Sequence, residues 1–245
     1  MFTYLILGAL QGIFEWIPIS SEGIVALASQ FLINKVNPIE IALFLHLGTL
    51  LAVLIYFRKD WQEVLIFRNS QLFYFLIIST FISLVIGYPI YKLIKNIAIG
   101  NSLLVLMGFG LLLTAYFYKT KRISEIGFNK LAIITGFLQG LAVIPGLSRS
   151  GSTIFGLSLG KIAPSEILKI SYMMSAPVVF AMSIYLFLKN PVLIIEGWPS
   201  LISSFLVGFL SLHFLINLAK KINFFKFTLI FGLLCFLGAA IGFLI

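Results

Sequence analysis

Two short segments hold most of the side chains that could do chemistry. The first reads Gln11-Gly-Ile-Phe-Glu15-Trp-Ile-Pro18-Ile-Ser20-Ser21-Glu22-Gly23. The second reads Gln139-Gly-Leu-Ala-Val-Ile-Pro145-Gly146-Leu-Ser148-Arg149-Ser150-Gly151-Ser152-Thr153. Gln11 and Glu15 stand at i and i+4 and share one helix face. In the second segment the glycines free backbone N–H groups, and Ser148, Ser150 and Thr153 add hydroxyls. A helix starting near Gly151 would aim its positive end at this tip, and Arg149 adds a two-pronged fork suited to phosphate. The chemistry is that of an anion site with a carboxylate beside it, and Arg149 is the obvious partner of Glu15. Ser21 reads as a nucleophile beside a carboxylate and an arginine, or else Ser20 or Ser21 caps the helix that follows. Glu22 reads as a metal ligand together with Glu15, or as a first-turn partner of the helix dipole. His46 and His213 are isolated, and His46 reads as a packed, hydrogen-bonded residue rather than a catalyst.

The elements that must position these groups follow from composition. Of 245 residues, 60% are hydrophobic and only 10% charged, and the mean hydropathy is +1.11. A soluble domain carries about 25% charged residues, so a soluble enzyme, a disordered chain and a nucleic-acid binder are excluded. A membrane crossing takes roughly 20 apolar residues, which leaves room for about six to eight. A carboxylate inside such a chain is expensive and marks a functional site by default. The net charge of +9 fits the excess of lysine and arginine on the cytoplasmic side of membrane proteins. The single cysteine, Cys235, excludes an intrachain disulfide. The first ten residues lack a basic region and a cleavage site, so they read as part of the fold.

Six stretches read as full spans: 39–57, 72–94, 97–118, 167–188, 199–218 and 225–245. Residues 3–34 and 131–161 differ, because Pro, Gly, Ser and charge interrupt each in the middle. Their flanks are too short to cross, so each reads as a re-entrant helical hairpin. Both carry Gln-Gly, then Pro, paired serines and Gly, and Pro38-Ile-Glu40-Ile41 echoes Pro164-Ser-Glu166-Ile167. The expected architecture is an all-α integral membrane protein of one domain, residues 1–245, with repeat halves 1–126 and 127–245. Each half holds one re-entrant hairpin and three transmembrane helices. Three is odd, so the second half must be inverted. With the 58–71, 119–130 and 219–226 loops on one side, their ten basic residues and Lys161 make 11 there against Lys35, Lys92, Lys95 and Lys189 on the other. That makes the first side cytoplasmic. Interrupted segments at matching positions of inverted halves point to a buried site near the midplane.

The motifs Gln11-x-x-x-Glu15, Pro18-x-Ser20-Ser21-x-Gly23 and Pro145-Gly-x-Ser148-Arg149-Ser150-Gly-x-Thr153 resemble those of the undecaprenyl-diphosphatases of the bacitracin-resistance type. Phe44-x-His-Leu-Gly-Thr-Leu-Leu-Ala-Val-x-x-Tyr-Phe-Arg58 is similar to that family too. The resemblance implies an inverted-repeat phosphatase of the cell membrane. Its substrate would be a polyprenyl diphosphate lipid, cut to the monophosphate for reuse in envelope glycan synthesis. It implies Mg²⁺ or Ca²⁺ as the supporting cation and leaves room for a homodimer. By resemblance, Glu15, Ser21 and Arg149 are catalytic, Gln11 supports them, and Ser148, Ser150 and Thr153 flank the arginine at the phosphate; from their place in the tips, Ser20 and Gly151 are expected to bind phosphate and Glu22 to support the site. Well-studied bacterial members carry a histidine where Ile24 stands here. Ser21 with a carboxylate base, or a metal-activated water held by Glu15 and Glu22, would stand in for it. The alternative reading is a polyprenyl-phosphate transporter that uses the same buried anion site.

Overall fold

A computed structural model of the chain describes residues 2–17, 20–33, 37–97, 101–119, 126–160, 162–219 and 224–244. Among them are eleven helices and no strand. Pro18, the His213 side chain and the counted Lys35, Lys121, Arg122, Lys161, Lys220 and Lys221 lie outside the described residues.

The first interrupted segment folds as two short helices, α1 (Phe2–Phe14) and α2 (Ser21–Leu32). At 1.5 Å per residue, 13 and 12 residues reach only about 20 Å, short of a bilayer core of about 30 Å. The second folds as α7 (Phe128–Leu141) and α8 (Arg149–Ser158). Between and after these arms run α3 (Pro38–Tyr56), α4 (Arg58–Leu65), α5 (Ser70–Ile94), α6 (Asn101–Lys119), α9 (Pro164–Lys189), α10 (Pro191–Ala219) and α11 (Phe224–Leu244). Among the described residues three segments are long and apolar enough to cross a membrane: Pro38–Tyr56, Ser70–Ile94 and Glu166–Lys189. Phe81, Phe180, Leu210 and Phe243 are each more than half exposed, as a lipid-facing surface requires. The chain is thus an all-helical membrane protein.

Two elements depart from the expected pattern. The fifth expected span, at 199–218, begins earlier, because α10 starts at Pro191 and carries Pro199 inside it. Arg58-Lys-Asp-Trp61, directly after the expected span 39–57, opens the separate helix α4. Its Asp60 accepts an ion pair from Lys169 at 3.1 Å, tying α4 to the start of α9.

Ion pairs and hydrogen bonds also give direction. At the start of α3, Glu40 accepts from Asn190 just past the end of α9 at 3.3 Å, and pairs with Lys95 just past the end of α5 at 3.6 Å. Asp60, just past the end of α3, meets Lys169 in the first turns of α9. Helices α3 and α9 therefore run antiparallel. Small residues set the arms against the other half. Gly8 and Gly12 press α1 onto α10, where a Cβ would stand 2.2 Å from the Ser200 carbonyl oxygen and 2.6 Å from the Gly208 nitrogen. Gly136 and Gly140 press α7 onto α5 in the same way, at 2.7 Å from the Ser79 oxygen and 2.8 Å from Ile86 Cβ. In both pairs the contacts advance together along the two helices, so the arm helix and its neighbour run parallel. Close approach through small residues spaced four apart is a common way for helices to pack in lipid.

Candidate functional site

The arm tips meet. Ser20 caps α2 by accepting from Gly23 N–H at 3.1 Å, and the same oxygen accepts from Gly146 N–H, in the other tip, at 3.0 Å. Gly146 holds a left-handed backbone, φ +91°, and a Cβ there would stand 2.2 Å from the Met107 carbonyl oxygen. Only glycine fits that turn and that approach to α6. Thr114 of α6 completes the support, its hydroxyl accepting from Ser148 N–H at 3.1 Å.

Glu15 is the hub. Its Oε2 accepts from Gln11 Nε2 at 2.7 Å and from Ser21 Oγ at 2.8 Å, and it lies 3.3 Å from His46 Nε2. Its Oε1 pairs with Arg149. Glu15 is only 5% exposed, so the cost of a buried carboxylate is offset by four surrounding polar groups. Arg149 also donates to the Ser171 carbonyl at 3.5 Å. Sequence analysis brought Glu15, Ser21, Gln11 and Arg149 together, and so does the structure.

Four assignments are corrected or sharpened. His46 is packed and bonded, with Nδ1 2.8 Å from the Ala42 carbonyl, but it also faces Glu15 and belongs to the site. Gly151 does not offer its N–H to an anion, because Ser148 Oγ accepts it at 3.0 Å. The helix-terminal donors left in the first turn of α8 are the N–H groups of Arg149 and Ser150, which have no intrahelical partner. Thr153 lines neither of the cavities described below. Its hydroxyl donates to the Arg149 carbonyl at 3.0 Å and lies 2.6 Å from Ser171 Oγ, which holds α8 against α9. Ser20 Oγ accepts both N–H groups and so stitches the tips together, while its own proton is not used in either bond. Ser148 caps α8 and lies 3.2 Å from Ser150 Oγ. Ile24 packs on the apolar cluster around Trp16, Phe57 and Tyr172.

Two cavities share lining residues at this cluster. The smaller is lined by Glu15, Ser20, Ser21, Glu22, His46, Ala142, Leu147, Ser148, Arg149 and Ser150. The larger shares Glu22, His46, Ala142 and Arg149 and adds apolar walls from α5 and α9 such as Leu84, Val178, Val179 and Met182. A polar chamber opening into an apolar one suits a molecule with a charged head and a hydrocarbon tail. As a metal ligand Glu15 has little left to offer, since both its oxygens are engaged. Glu22 differs: it is buried and its Oε1 has no partner. Among the described residues no three His, Cys, Asp or Glu side chains gather as a metal cluster. Gln139, which sequence analysis placed only in the repeat, lines the larger cavity. Its pairing with Gln11 in the two Gln-Gly dipeptides was the available signal.

Fold and site together define a membrane protein with a buried carboxylate–arginine–serine centre beside an apolar chamber. The family model described as Bacitracin resistance protein BacA matches residues 4–240, and the chain belongs to that family. It is 33% identical to the undecaprenyl-diphosphatase of Methanococcoides burtonii over 251 residues, 94% of this chain and 95% of the relative. It is 33% identical to that of Sulfurisphaera tokodaii over 240 residues, 89% of each. With that of Haloarcula marismortui it shares 32% over 252 residues, 93% of each.

Proposed function

We propose that the protein hydrolyses the terminal phosphate of undecaprenyl or a related polyprenyl diphosphate, leaving the lipid monophosphate for reuse as a carrier. The observation that carries this reading is the hydrogen bond from Ser21 to Glu15 beside Arg149, at the junction of a polar and an apolar cavity. The relatives named above carry an enzyme's name, and none supports the transporter reading.

The head of the lipid enters the smaller cavity and its tail lies in the larger one. The terminal phosphate takes Arg149, which frees one oxygen of Glu15. Ser21 Oγ attacks the terminal phosphorus and gives its proton to Glu15, while the P–O bond to the bridging oxygen breaks and the lipid monophosphate departs. Water then hydrolyses the phosphoserine, releasing phosphate and restoring the hydroxyl. The N–H groups of Arg149 and Ser150, at the positive end of α8, face the charge that develops on the phosphoryl oxygens. Gln11 and His46 hold Glu15 in place while Arg149 is engaged. Mg²⁺ or Ca²⁺ would neutralise charge on the phosphates, and of the two carboxyl groups only Glu22 has an open oxygen.

The two arms with their following helices form an inverted repeat in the cell membrane, and the arms are re-entrant. The antiparallel course of α3 and α9 and the matching glycine contacts of α1 and α7 support this. A homodimer is read from the mass of the detergent-solubilised protein. The activity is read as phosphate released from a polyprenyl diphosphate by purified protein, with Glu15→Gln, Ser21→Ala and Arg149→Ala beside the wild type. Full release by Arg149→Ala would sink the assignment.

A further inference from the structure

An anion site should be surrounded by donors, yet two buried acceptors beside it stand unmatched. Glu22 Oε1 and Gln139 Oε1 have no hydrogen-bond partner, although Glu22 is 8% exposed and Gln139 only 4%. Both residues line the larger cavity, beside Arg149. The Gln139 amide is oriented by its nitrogen, which donates to the Met174 carbonyl at 3.2 Å. Two more oxygens line the same wall. Ser83 and Ser175 spend their protons on the carbonyls of Gly136 and Tyr172, so only lone pairs remain for the cavity.

A buried acceptor without a donor is costly, so something must satisfy these oxygens when the site is at work. A water could do so. Charge argues for more. The one guanidinium lining the two cavities, Arg149, is already paired with Glu15. A diphosphate brings further negative charge into this balance. A hard divalent cation answers both needs, since Mg²⁺ and Ca²⁺ take carboxylate, amide-carbonyl and hydroxyl oxygens and are held by phosphates together with one or two protein groups.

Resting on the phosphatase reading, we propose that the divalent cation travels with the diphosphate and is received by Glu22 and Gln139, one from each arm, while Glu15 stays with Arg149 and Ser21. The protein offers half a coordination sphere and the substrate brings the other half. No gathering of three acidic or imidazole side chains is then needed, in keeping with the described residues.

The test uses Mn²⁺ as a spin probe and farnesyl methylenediphosphonate, in which carbon replaces the bridging oxygen that would be cut. Electron paramagnetic resonance follows Mn²⁺ on the full chain in detergent. The wild type is expected to bind Mn²⁺ tightly with the diphosphonate present, beyond what the diphosphonate binds alone, and weakly without it. Glu22→Gln and Gln139→Met should each weaken this binding at least about tenfold, the lower end of what even an outer-shell change costs a metal site. Gln139→Glu, which adds a carboxylate to the same wall, should tighten it. Binding of the diphosphonate without Mn²⁺, read by calorimetry, shows that each variant is folded. Unchanged Mn²⁺ affinity in folded Glu22→Gln and Gln139→Met overturns the proposal and leaves water on those oxygens. So does equal Mn²⁺ binding with and without the diphosphonate. Phosphate release by the wild type separates the two readings. Release with unchanged Mn²⁺ affinity in the variants overturns the cation site alone. No release from a wild type that binds Mn²⁺ through Glu22 overturns the phosphatase reading and leaves the cation site standing.

Discussion

In both arms a Gln-Gly pair precedes the tip and a serine caps the helix beyond it: Gln11-Gly12 with Ser20 in one, Gln139-Gly140 with Ser148 in the other. Both caps accept from a glycine three residues on, Gly23 or Gly151. Both first helices press a glycine pair onto a helix of the other half. At an offset of 128 residues, however, Glu15 stands against Val143, Ser21 against Arg149 and Glu22 against Ser150. The shared positions set the backbone, and the differing ones carry the chemistry. One arm carries the carboxylate and the serine hydroxyl bonded to it, and the other carries the guanidinium. Neither holds a complete site.

Exchanges at the differing positions should cost activity, and exchanges at the shared ones should cost stability. The largest effect is expected from Ser21→Ala, which should lower kcat by about 10⁴- to 10⁶-fold, as loss of a nucleophile does elsewhere. Single-turnover phosphate release measures it, and a small loss would shift the attack to water. Across the tip, Arg149→Ala should cost about 10²- to 10³-fold in kcat, the scale of one lost donor to a developing oxyanion. If Ser150→Ala cost more than Arg149→Ala, the division between the arms would be wrong. Gly12→Ala and Gly140→Ala form a matched pair. Each forces a Cβ into space under 3.0 Å from its neighbour, and each should cost about 1–3 kcal/mol in detergent unfolding. A tolerated Gly140→Ala beside a damaging Gly12→Ala would break the equivalence of the arms. The smallest effect is expected from the caps, about 1 kcal/mol for Ser148→Ala. Ser20→Ala should cost more, because its oxygen also holds Gly146 of the other tip. Equal thermal shifts for the two would remove the stitch from the account.

Most of the helical framework could be read from composition and interruption. The two arms fall where Pro, Gly and Ser break apolar runs, and α1, α2, α7 and α8 occupy those segments. Glu15 with Gln11 was legible because i, i+4 spacing needs no knowledge of the fold. His46 was not: its contact with Glu15 depends on how α3 packs beside the first arm, and spacing along one helix says nothing of that. Gly151 was misjudged for a related reason. Sequence shows that a helix N-terminus has open N–H groups, but not which one its own capping serine will take. The open oxygen of Glu22 was equally hidden, since only coordinates show which acceptors lack a donor.

The ion pair between Glu15 and Arg149 spans 134 residues of chain. At a synthesis rate of about 5–20 residues per second, the arginine emerges roughly 7 to 27 s after the carboxylate. Through that interval the newborn first half must keep Glu15 in the bilayer without its cation. Gln11, Ser21 and His46 all precede residue 47 and are available as interim company. Hydrolysis therefore waits for the ribosome to deliver the second arm, and a chain truncated at the midpoint is a silent one.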